Sequence, residues 1–211
     1  MCGRFTLITT LEYLISEFDI QLAFDEDLFA TSYNIAPTQP IVSIINDGTN
    51  NRMGHLKWGL IPTWAKDETV DEKPSFKRSF YQRRCIIPMD SFYEWKRDGK
   101  AKIPMRIKMK DDSLFGVAGL WETWKASNGT AIHTCTILTT EPNELMADIH
   151  DRMPVILPKE MRSVWLNPAV KDKEELKSLL VPYKSDDMTA YEVSDKVNSP
   201  RNNTVDLIER V

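Results

Sequence analysis

Short stretches in which apolar and polar residues alternate, separated by turn signals, run through most of this chain. Alternation with a period of two places every second side chain on the same face of a strand, and β-branched and aromatic residues favour that conformation. Turn sequences such as Asn46-Asp47-Gly48 and Asp98-Gly99 recur between the stretches. The pattern predicts strands at residues 3–6, 41–46, 55–60, 84–88, 91–96, 103–109, 114–122, 131–139, 190–193 and 205–207.

Helical spacing of apolar residues is confined to a few places. Thr10 can cap a helix over 10–18, and further helices are predicted at 142–149, 158–166 and 172–180. Residues 62–82 are polar and basic and carry no clear signal. Because strands and helices do not alternate, a doubly wound sheet is disfavoured. The pattern predicts one α+β domain over residues 1–211, with a curled mixed or antiparallel sheet, or an open barrel, and flanking helices.

Composition narrows the classes of function. The 211 residues are 42% hydrophobic and 27% charged, so the chain can bury a core without metals or disulfides. A net charge of −4 excludes a globally basic nucleic-acid coat, and a polyanion would need a local patch. The sequence has neither a secretion signal nor a run of about 20 apolar residues, so we expect a soluble, cytoplasmic protein that does not enter membranes.

Cysteine usage points away from disulfides and metals. Cys2, Cys85 and Cys135 are an odd, scattered set, and the sequence has no Cys-x-x-Cys or His-x-x-x-His. Disulfide frameworks and structural zinc sites need such spacings. We therefore expect no bound metal and no cofactor.

Cys2 is the strongest chemical signal in the chain. A small second residue usually permits removal of Met1, and the chain would then begin with Cys2. The amine and the thiol of such a residue have reference pKa values of about 7.7–8.0 and about 8.5, so both are nucleophilic near neutral pH. An aldehyde condenses with the amine to a Schiff base, and the thiolate then closes a five-membered thiazolidine ring.

Two other interpretations of Cys2 remain open. The residue could be an incidental feature of a frayed terminus. It could also be the nucleophile of an amidohydrolase, as in a glutamine amidotransferase that begins Met-Cys-Gly.

Glu94 is a candidate general acid. In strict alternation Phe92 and Glu94 share one face of a strand, and Tyr93 and Trp95 share the other. A carboxyl on a partly apolar face has its pKa raised by desolvation, which suits it to proton donation. The competing interpretation is an exposed charge on an edge strand.

His150 is the candidate proton shuttle. It lies between Ile149 and Asp151 in a predicted helix end, and imidazole exchanges protons near neutral pH. The competing interpretation is a helix C-cap. The other two histidines, His55 and His133, are interpreted as structural or surface residues.

Basic charge is concentrated in two stretches of the chain. Residues 73–84 hold five basic residues and no acid, and residues 96–110 hold seven basic residues against Asp98. Aromatic residues lie in or near the first stretch, and single-stranded nucleic acid binds to basic groups interleaved with rings. The competing interpretation is a solvated basic surface above core aromatics.

Together these features resemble the SRAP (SOS response-associated peptidase) family of abasic-site-processing proteins. The similarity covers about residues 1–160 in family order. It is carried by Met1-Cys2-Gly3-Arg4-Phe5, Tyr33-Asn34-Ile35-Ala36-Pro37-Thr38, Trp58-Gly59-Leu60-Ile61-Pro62, Arg84-Cys85-Ile86-Ile87-Pro88, Phe92-Tyr93-Glu94-Trp95, Ala118-Gly119-Leu120-Trp121 and Ile149-His150-Asp151-Arg152-Met153-Pro154.

The resemblance implies a covalent crosslink between the protein and the ring-opened sugar of an abasic site in single-stranded DNA, which would shield the lesion. Cys2 would be the nucleophile, Glu94 would handle protons during ring opening and Schiff-base formation, and His150 would shuttle protons around ring closure. Self-removal of Met1 would be the peptidase activity. We expect a monomer.

DNA contacts also follow from the resemblance. Arg4 and Asn34 would contact phosphates beside the lesion, and Pro37 and Trp64 would form an apolar wedge against the bases. Lys77 and Arg78, from the first basic stretch, are predicted DNA contacts as well.

One departure from the family pattern stands out. After Trp64 the family has a longer segment containing Asn-Ala-Arg, whose asparagine contacts the abasic sugar, whereas here Trp64-Ala65-Lys66-Asp67 runs straight into Glu68-Thr69-Val70. Either the chain truly lacks this segment, or a mobile loop is missing from the sequence as written. We favour the second, because a DNA-contacting loop is expected to be mobile without DNA. A Cα separation well above about 3.8 Å within 66–71 would reveal it.

Two further function classes stay open beside the crosslinker. An N-terminal-nucleophile amidohydrolase would turn over glutamine or peptides, although the Asn-Gly-Asp motif of amidotransferases is absent. A noncatalytic single-strand binding module would bind intact DNA in a salt-sensitive way and form no adduct.

Overall fold

Strands dominate the molecule, with short helices at its periphery. The computed structural model describes residues 3–59, 74–125 and 130–211, and it leaves the side chains of residues 74–77 and 125 undescribed. The strands are β1 Phe5–Leu7, β2 Ser32–Ile35, β3 Pro40–Asn46, β4 Asn51–Trp58, β5 Arg84–Met89, β6 Ser91–Asp98, β7 Ala101–Met109, β8 Phe115–Lys125, β9 Ala131–Ile137, β10 Thr139–Thr140, β11 Met153–Pro154, β12 Ile156–Leu157 and β13 Met188–Glu192. The α-helices are α1 Leu11–Glu17, α2 Pro74–Gln82, α3 Glu144–Ala147, α4 Arg162–Leu166 and α5 Lys173–Ser178.

One six-stranded sheet has the order β12-β8-β5-β3-β4-β9 and curls strongly. Because of this curl β9 has two neighbouring strands. It pairs antiparallel with β8 and, over a short stretch, parallel with β4. The β3–β4 hairpin turns at Gly48, whose φ of 102° lies in the left-handed region that glycine tolerates. The predicted α+β class with a curled mixed sheet is confirmed.

The second sheet carries the candidate site and has the order β13-β7-β6-β1-β2, with every pair antiparallel. Its centre is the long β6–β7 hairpin, which turns at Gly99 with a φ of 57°. β1 lies beside β6 in the register Phe5 opposite Phe92. This register decides which part of β6 the N-terminal residues reach.

Two apolar clusters cover the two faces of β6. Phe92 belongs to the main core, where its ring lies edge-on to Phe115. Tyr93 belongs to a smaller cluster with Val197 and Leu207 from the C-terminal segment. The predicted alternation of side chains along this strand is therefore confirmed.

Some predicted elements differ from the observed ones. Helix α2 lies within the stretch 62–82 that had no assignment. Residues 205–207 were predicted as a strand, and that prediction is wrong, because Val205–Ile208 forms a 3-10 turn. Within this turn the Leu207 side chain is buried in the smaller cluster while Val205 is exposed. A short apolar run has no periodicity that would separate such a turn from a strand.

Candidate active site

Glu94 lies on β6 and is only 3% exposed. Its cross-strand neighbour is Met105 on β7, so little water reaches the carboxyl from that side. Burial, with a smaller contribution from the nearby carboxylate of Asp151, raises the pKa of the Glu94 carboxyl to about 7. The carboxyl is therefore set to gain and lose a proton near neutral pH.

His150 faces Glu94 from the turn that follows α3. Its backbone N–H donates to the Met146 carbonyl at 2.8 Å, which fixes the turn. The ring nitrogen Nε2 lies 3.9 Å from Glu94 Oε2. Burial lowers the pKa of the His150 imidazole below its ordinary value, which favours the neutral ring.

The other ring nitrogen, Nδ1, lies between a donor and an acceptor. The backbone N–H of Arg152 donates to His150 Nδ1 at 3.1 Å, which requires a bare nitrogen, while Asp151 Oδ1 lies 2.9 Å from the same atom, which favours a protonated one. The two contacts therefore favour different tautomers of the neutral ring. Glu94 and His150 lie side by side in the site as two groups that can gain or lose a proton.

An open cleft of about 430 Å³ contains both groups. The β6–β7 hairpin, the turn after α3 and the C-terminal segment supply its walls. The lining residues are Glu94, Trp95, Arg97, Lys102, His150 and Asn198.

A buried polar network fixes β1 against β6. The Thr6 hydroxyl donates to the Asp90 carboxylate, and Asp90 also accepts from the backbone N–H of Ile8 at 2.5 Å. Arg106 donates to the Ser91 hydroxyl at 2.8 Å on the same side. Because these groups have partners, their burial does not cost the fold the usual penalty of an unsatisfied polar group. The network holds the N-terminal strand in register.

Arg4 and Asn34, two of the predicted phosphate contacts, are joined to each other and to the C-terminal segment. Arg4 Nη1 donates to Asn34 Oδ1 at 2.8 Å and to the Val197 carbonyl at 2.6 Å. The Asn34 amide donates to the carbonyls of Ser199 and Asn202 at 3.0 and 2.9 Å. In this structure both side chains therefore tie the chain ends together, and their contact with DNA stays a prediction.

Pro37 lies in the loop between β2 and β3 and is half-buried. The next residue, Thr38, has a φ of 79°, and its backbone N–H donates to the Trp58 carbonyl at 2.7 Å. This bond holds the loop against the end of β4. The wedge role of Pro37 stays a prediction.

The basic side chains of the first stretch are less accessible to a DNA ligand than the composition indicates. Arg84 is 4% exposed, and its guanidinium donates to the carbonyls of Phe80 and Trp165 at 2.7 and 2.5 Å. Arg83 pairs with Glu122 at 2.8 Å. Arg78 on α2 is exposed. Of the basic groups in 78–84, only Arg78 is therefore left to solvent.

Several predicted features lie outside the described part of the structure. These are Cys2, Trp64, the side chain of Lys77, and the Cα spacing within residues 66–71.

The sequence interpretation missed Arg97, Lys102 and Asn198 as lining residues of the cleft. The cluster of seven basic residues in 96–110 was the available signal for the first two. No local signal pointed to Asn198, because the C-terminal segment reaches the cleft only through tertiary contacts.

The described residues offer neither a metal cluster nor a membrane span. Within 3–59, 74–125 and 130–211, no three or more His, Cys, Asp and Glu side chains are grouped to hold a metal ion. Among the helices of those ranges, none is long and apolar enough to cross a membrane.

These observations describe an α+β protein with a curled sheet, in which a buried carboxyl and a histidine share a cleft near the N-terminal strand. The family model described as "SOS response associated peptidase (SRAP)" matches residues 1–200, and the chain belongs to this family.

Curated relatives and a solved structure agree with this assignment. The chain is 56% identical over 222 aligned residues to the abasic site processing protein YoqW of Bacillus subtilis, covering 99% of each chain. It is 29% identical to the abasic site processing protein HMCES of Xenopus tropicalis, over 89% of this chain and 68% of the relative. A crystal structure of a protein from Bacteroides thetaiotaomicron superposes with a TM-score of 0.86 at 27% identity, covering 100% of both chains.

Proposed function

We propose that this protein recognises abasic sites in single-stranded DNA and, after loss of Met1, forms a covalent thiazolidine crosslink with them through Cys2. The observation that carries the proposal is the Glu94–His150 pair in an open cleft at the end of the N-terminal strand. Family membership, with relatives named abasic site processing proteins, supports the choice of substrate.

The register of the first strand supports a role for Cys2 in this cleft. Phe5 lies opposite Phe92, and the backbone N–H of Tyr93 donates to the Arg4 carbonyl at 2.9 Å. Continuing this antiparallel register brings Gly3 opposite Glu94. Cys2 is joined to Gly3 by one peptide bond, so its Cα is within about 3.8 Å of the Gly3 Cα.

The other two cysteines are poor nucleophiles by comparison. Cys85 and Cys135 are both buried and unpaired. Burial raises the pKa of the Cys85 thiol well above its usual value and that of Cys135 to about 12. A thiol reacts as the thiolate, so neither residue competes with an amino-terminal cysteine.

The proposed chemistry balances with the loss of one water. The amine of Cys2 adds to the aldehyde of the ring-opened deoxyribose, and protonation of the carbinol oxygen lets it leave as water. The thiolate then adds to the resulting imine carbon and closes the ring. Glu94, with a pKa of about 7, can donate the proton that water needs, and neutral His150 can accept one from the amine or thiol.

Intact mass spectrometry after mixing with an oligonucleotide that carries one abasic site tests the proposal. We expect a species equal to protein without Met1 plus DNA minus one water, stable to denaturation and absent with undamaged DNA. Cys2→Ala should abolish it, because the remaining amine lacks the thiol that closes the ring. Cys2→Ser should give only a Schiff base, visible after borohydride reduction.

Unreacted protein in the same spectrum reports whether Met1 is present. A stable, unreduced crosslink in Cys2→Ala would contradict the assignment of the nucleophile. No adduct from a chain that has lost Met1 would favour an amidohydrolase or a plain binding module, which glutamine turnover and salt-sensitive binding to intact DNA would then separate.

A further inference from the structure

Two cations face each other at the outer rim of the cleft. Arg97 on β6 and Lys102 on β7 are directly opposite in the hairpin register and line the same cleft as Glu94 and His150. Like charges directly opposite across an antiparallel pair destabilise a sheet. The arrangement therefore weakens the hairpin slightly, unless an anion lies between the two side chains.

Arg97 and Lys102 have no close anionic partner among the described residues. Within residues 3–59, 74–125 and 130–211, neither Arg97 nor Lys102 takes part in a side-chain hydrogen bond or an ion pair, and both are exposed. Lys96 and Lys100 add to the positive charge of the hairpin tip, against the single acid Asp98. The rim of the cleft is thus positively charged, whereas the whole chain carries a net charge of −4.

Asn198 adds an uncharged donor to the lining of the same cleft. The indole N–H of Trp95 donates to Asn198 Oδ1 at 2.7 Å. An indole N–H can only donate, so this bond fixes the orientation of the amide. The two N–H groups of Asn198 Nδ2 are then free of Trp95, at a residue that lines the cleft.

We propose that Arg97, Lys102 and Asn198 form a phosphate-binding wall that holds the phosphate attached to the abasic sugar while its aldehyde reacts deeper in the cleft. This inference rests on the proposed function. A guanidinium offers a planar pair of donors to phosphate, an ammonium adds a point charge, and an amide N–H completes the set. The cleft volume of about 430 Å³ suits a sugar phosphate.

Two small aldehydes separate phosphate binding from aldehyde chemistry. Adduct formation with 2-deoxyribose and with 2-deoxyribose 5-phosphate is followed by intact mass, and the ratio of the two second-order rate constants is taken. We expect the phosphorylated sugar to react faster with the wild-type protein. In the double variant Arg97→Ala/Lys102→Ala this ratio should fall about tenfold or more, since the phosphate then has neither of its two cationic partners.

Two further variants sharpen this experiment. Asn198→Asp keeps an acceptor for Trp95 but turns a carboxylate toward the cleft, so the ratio should fall although the Trp95 bond is retained. Lys110→Ala/Lys184→Ala removes the same charge elsewhere and should keep the wild-type ratio. Lys110 is about 26 Å from Lys102 along the direction of β7, from the rise per residue of a strand. A wild-type ratio in Arg97→Ala/Lys102→Ala would overturn the phosphate wall.

A noncovalent measurement tests the wall independently of the crosslink. The probe is a single-stranded oligonucleotide with a tetrahydrofuran abasic analogue, which has no aldehyde. The slope of log Kd against log salt should become shallower by about 1.4 in Arg97→Ala/Lys102→Ala, because each cation that neutralises a phosphate contributes about 0.7 to the slope. An unchanged slope would contradict the wall. If the slope changes but the wild-type protein never forms an adduct with any aldehyde, the wall stands and the crosslinking proposal fails.

Discussion

Glu94 illustrates how neighbours on both sides of the sheet set the chemistry of a single side chain. Its face of β6 continues from Phe92 into the main core, and this burial raises the pKa of the carboxyl to about 7. The same strand exposes Arg97 three residues later, next to the β6–β7 turn. A buried acid and an exposed cation therefore share one cleft.

The pH dependence of stability should report the buried Glu94 carboxyl. Below pH 4.5 the carboxyl is protonated in both the folded and the unfolded chain, so its ionisation costs nothing. Between pH 4.5 and about 7 only the unfolded chain ionises, so stability falls as pH rises and then levels off. In Glu94→Gln this loss should be absent.

Urea unfolding at pH 4 and pH 8 measures the effect. The difference in the free energy of unfolding between Glu94→Gln and wild type is taken at each pH. It should be about 1–3 kcal/mol more favourable to the variant at pH 8 than at pH 4. The matched control Glu160→Gln, at an exposed residue, should show no such gain. Equal pH dependence in Glu94→Gln and wild type would contradict the raised pKa.

At the scale of elements, β8 joins the curled sheet together, because it pairs with β5, β9 and β12. Gly119 is a residue at which β8 pairs with β5 and β9 at once, opposite Cys85 and Ile137. A Cβ there would lie 2.4 Å from Ile87 Cδ1 and 2.7 Å from the Thr136 carbonyl oxygen. The glycine of the Ala118-Gly119-Leu120-Trp121 motif is thus required by packing.

Gly119→Ala should therefore destabilise the protein by about 1–3 kcal/mol, since the backbone carbonyl cannot move aside without breaking the sheet. Gly54→Ala on β4 is the control, because a Cβ there meets nothing within 4 Å. Thermal unfolding of the two variants compares them directly. A Gly119→Ala protein as stable as Gly54→Ala would show that the sheet relaxes more easily than its packing indicates.

At the scale of the whole molecule, the two ends of the chain are packed against each other beside the cleft. The C-terminal segment covers one face of β6 through Val197 and Leu207, and it supplies Asn198 to the cleft wall. Arg4 and Asn34 hold this segment by its carbonyl groups. The cleft geometry therefore depends on contacts between residues more than 160 positions apart.

Asn34→Leu tests this long-range link. The substitution keeps the approximate volume but leaves the carbonyls of Ser199 and Asn202 and the Arg4 guanidinium without this partner. We expect a loss of about 2–4 kcal/mol in the free energy of unfolding. Asn50→Leu, in the β3–β4 turn, should change it by less than about 0.5 kcal/mol. A stable Asn34→Leu protein that has lost only DNA affinity would favour a direct phosphate contact for Asn34.

The sequence by itself determined the features that depend on a few neighbouring residues. Alternation along 92–95 assigned the two faces of β6, Thr10 caps α1 through the N–H of Tyr13, and the Asn46-Asp47-Gly48 turn closes a hairpin. The ordered family motifs supplied the family. All of these signals are local because they follow from backbone geometry and the spacing of side chains.

Only the tertiary structure decided which charged and polar groups are available for chemistry. Arg84 and Asn34 resemble surface residues in the sequence, yet both are buried and bonded to backbone carbonyls far along the chain. Arg97 and Asn198 meet at the cleft although about a hundred residues separate them. Burial and charge pairing depend on which distant segments pack together, and no local pattern encodes that.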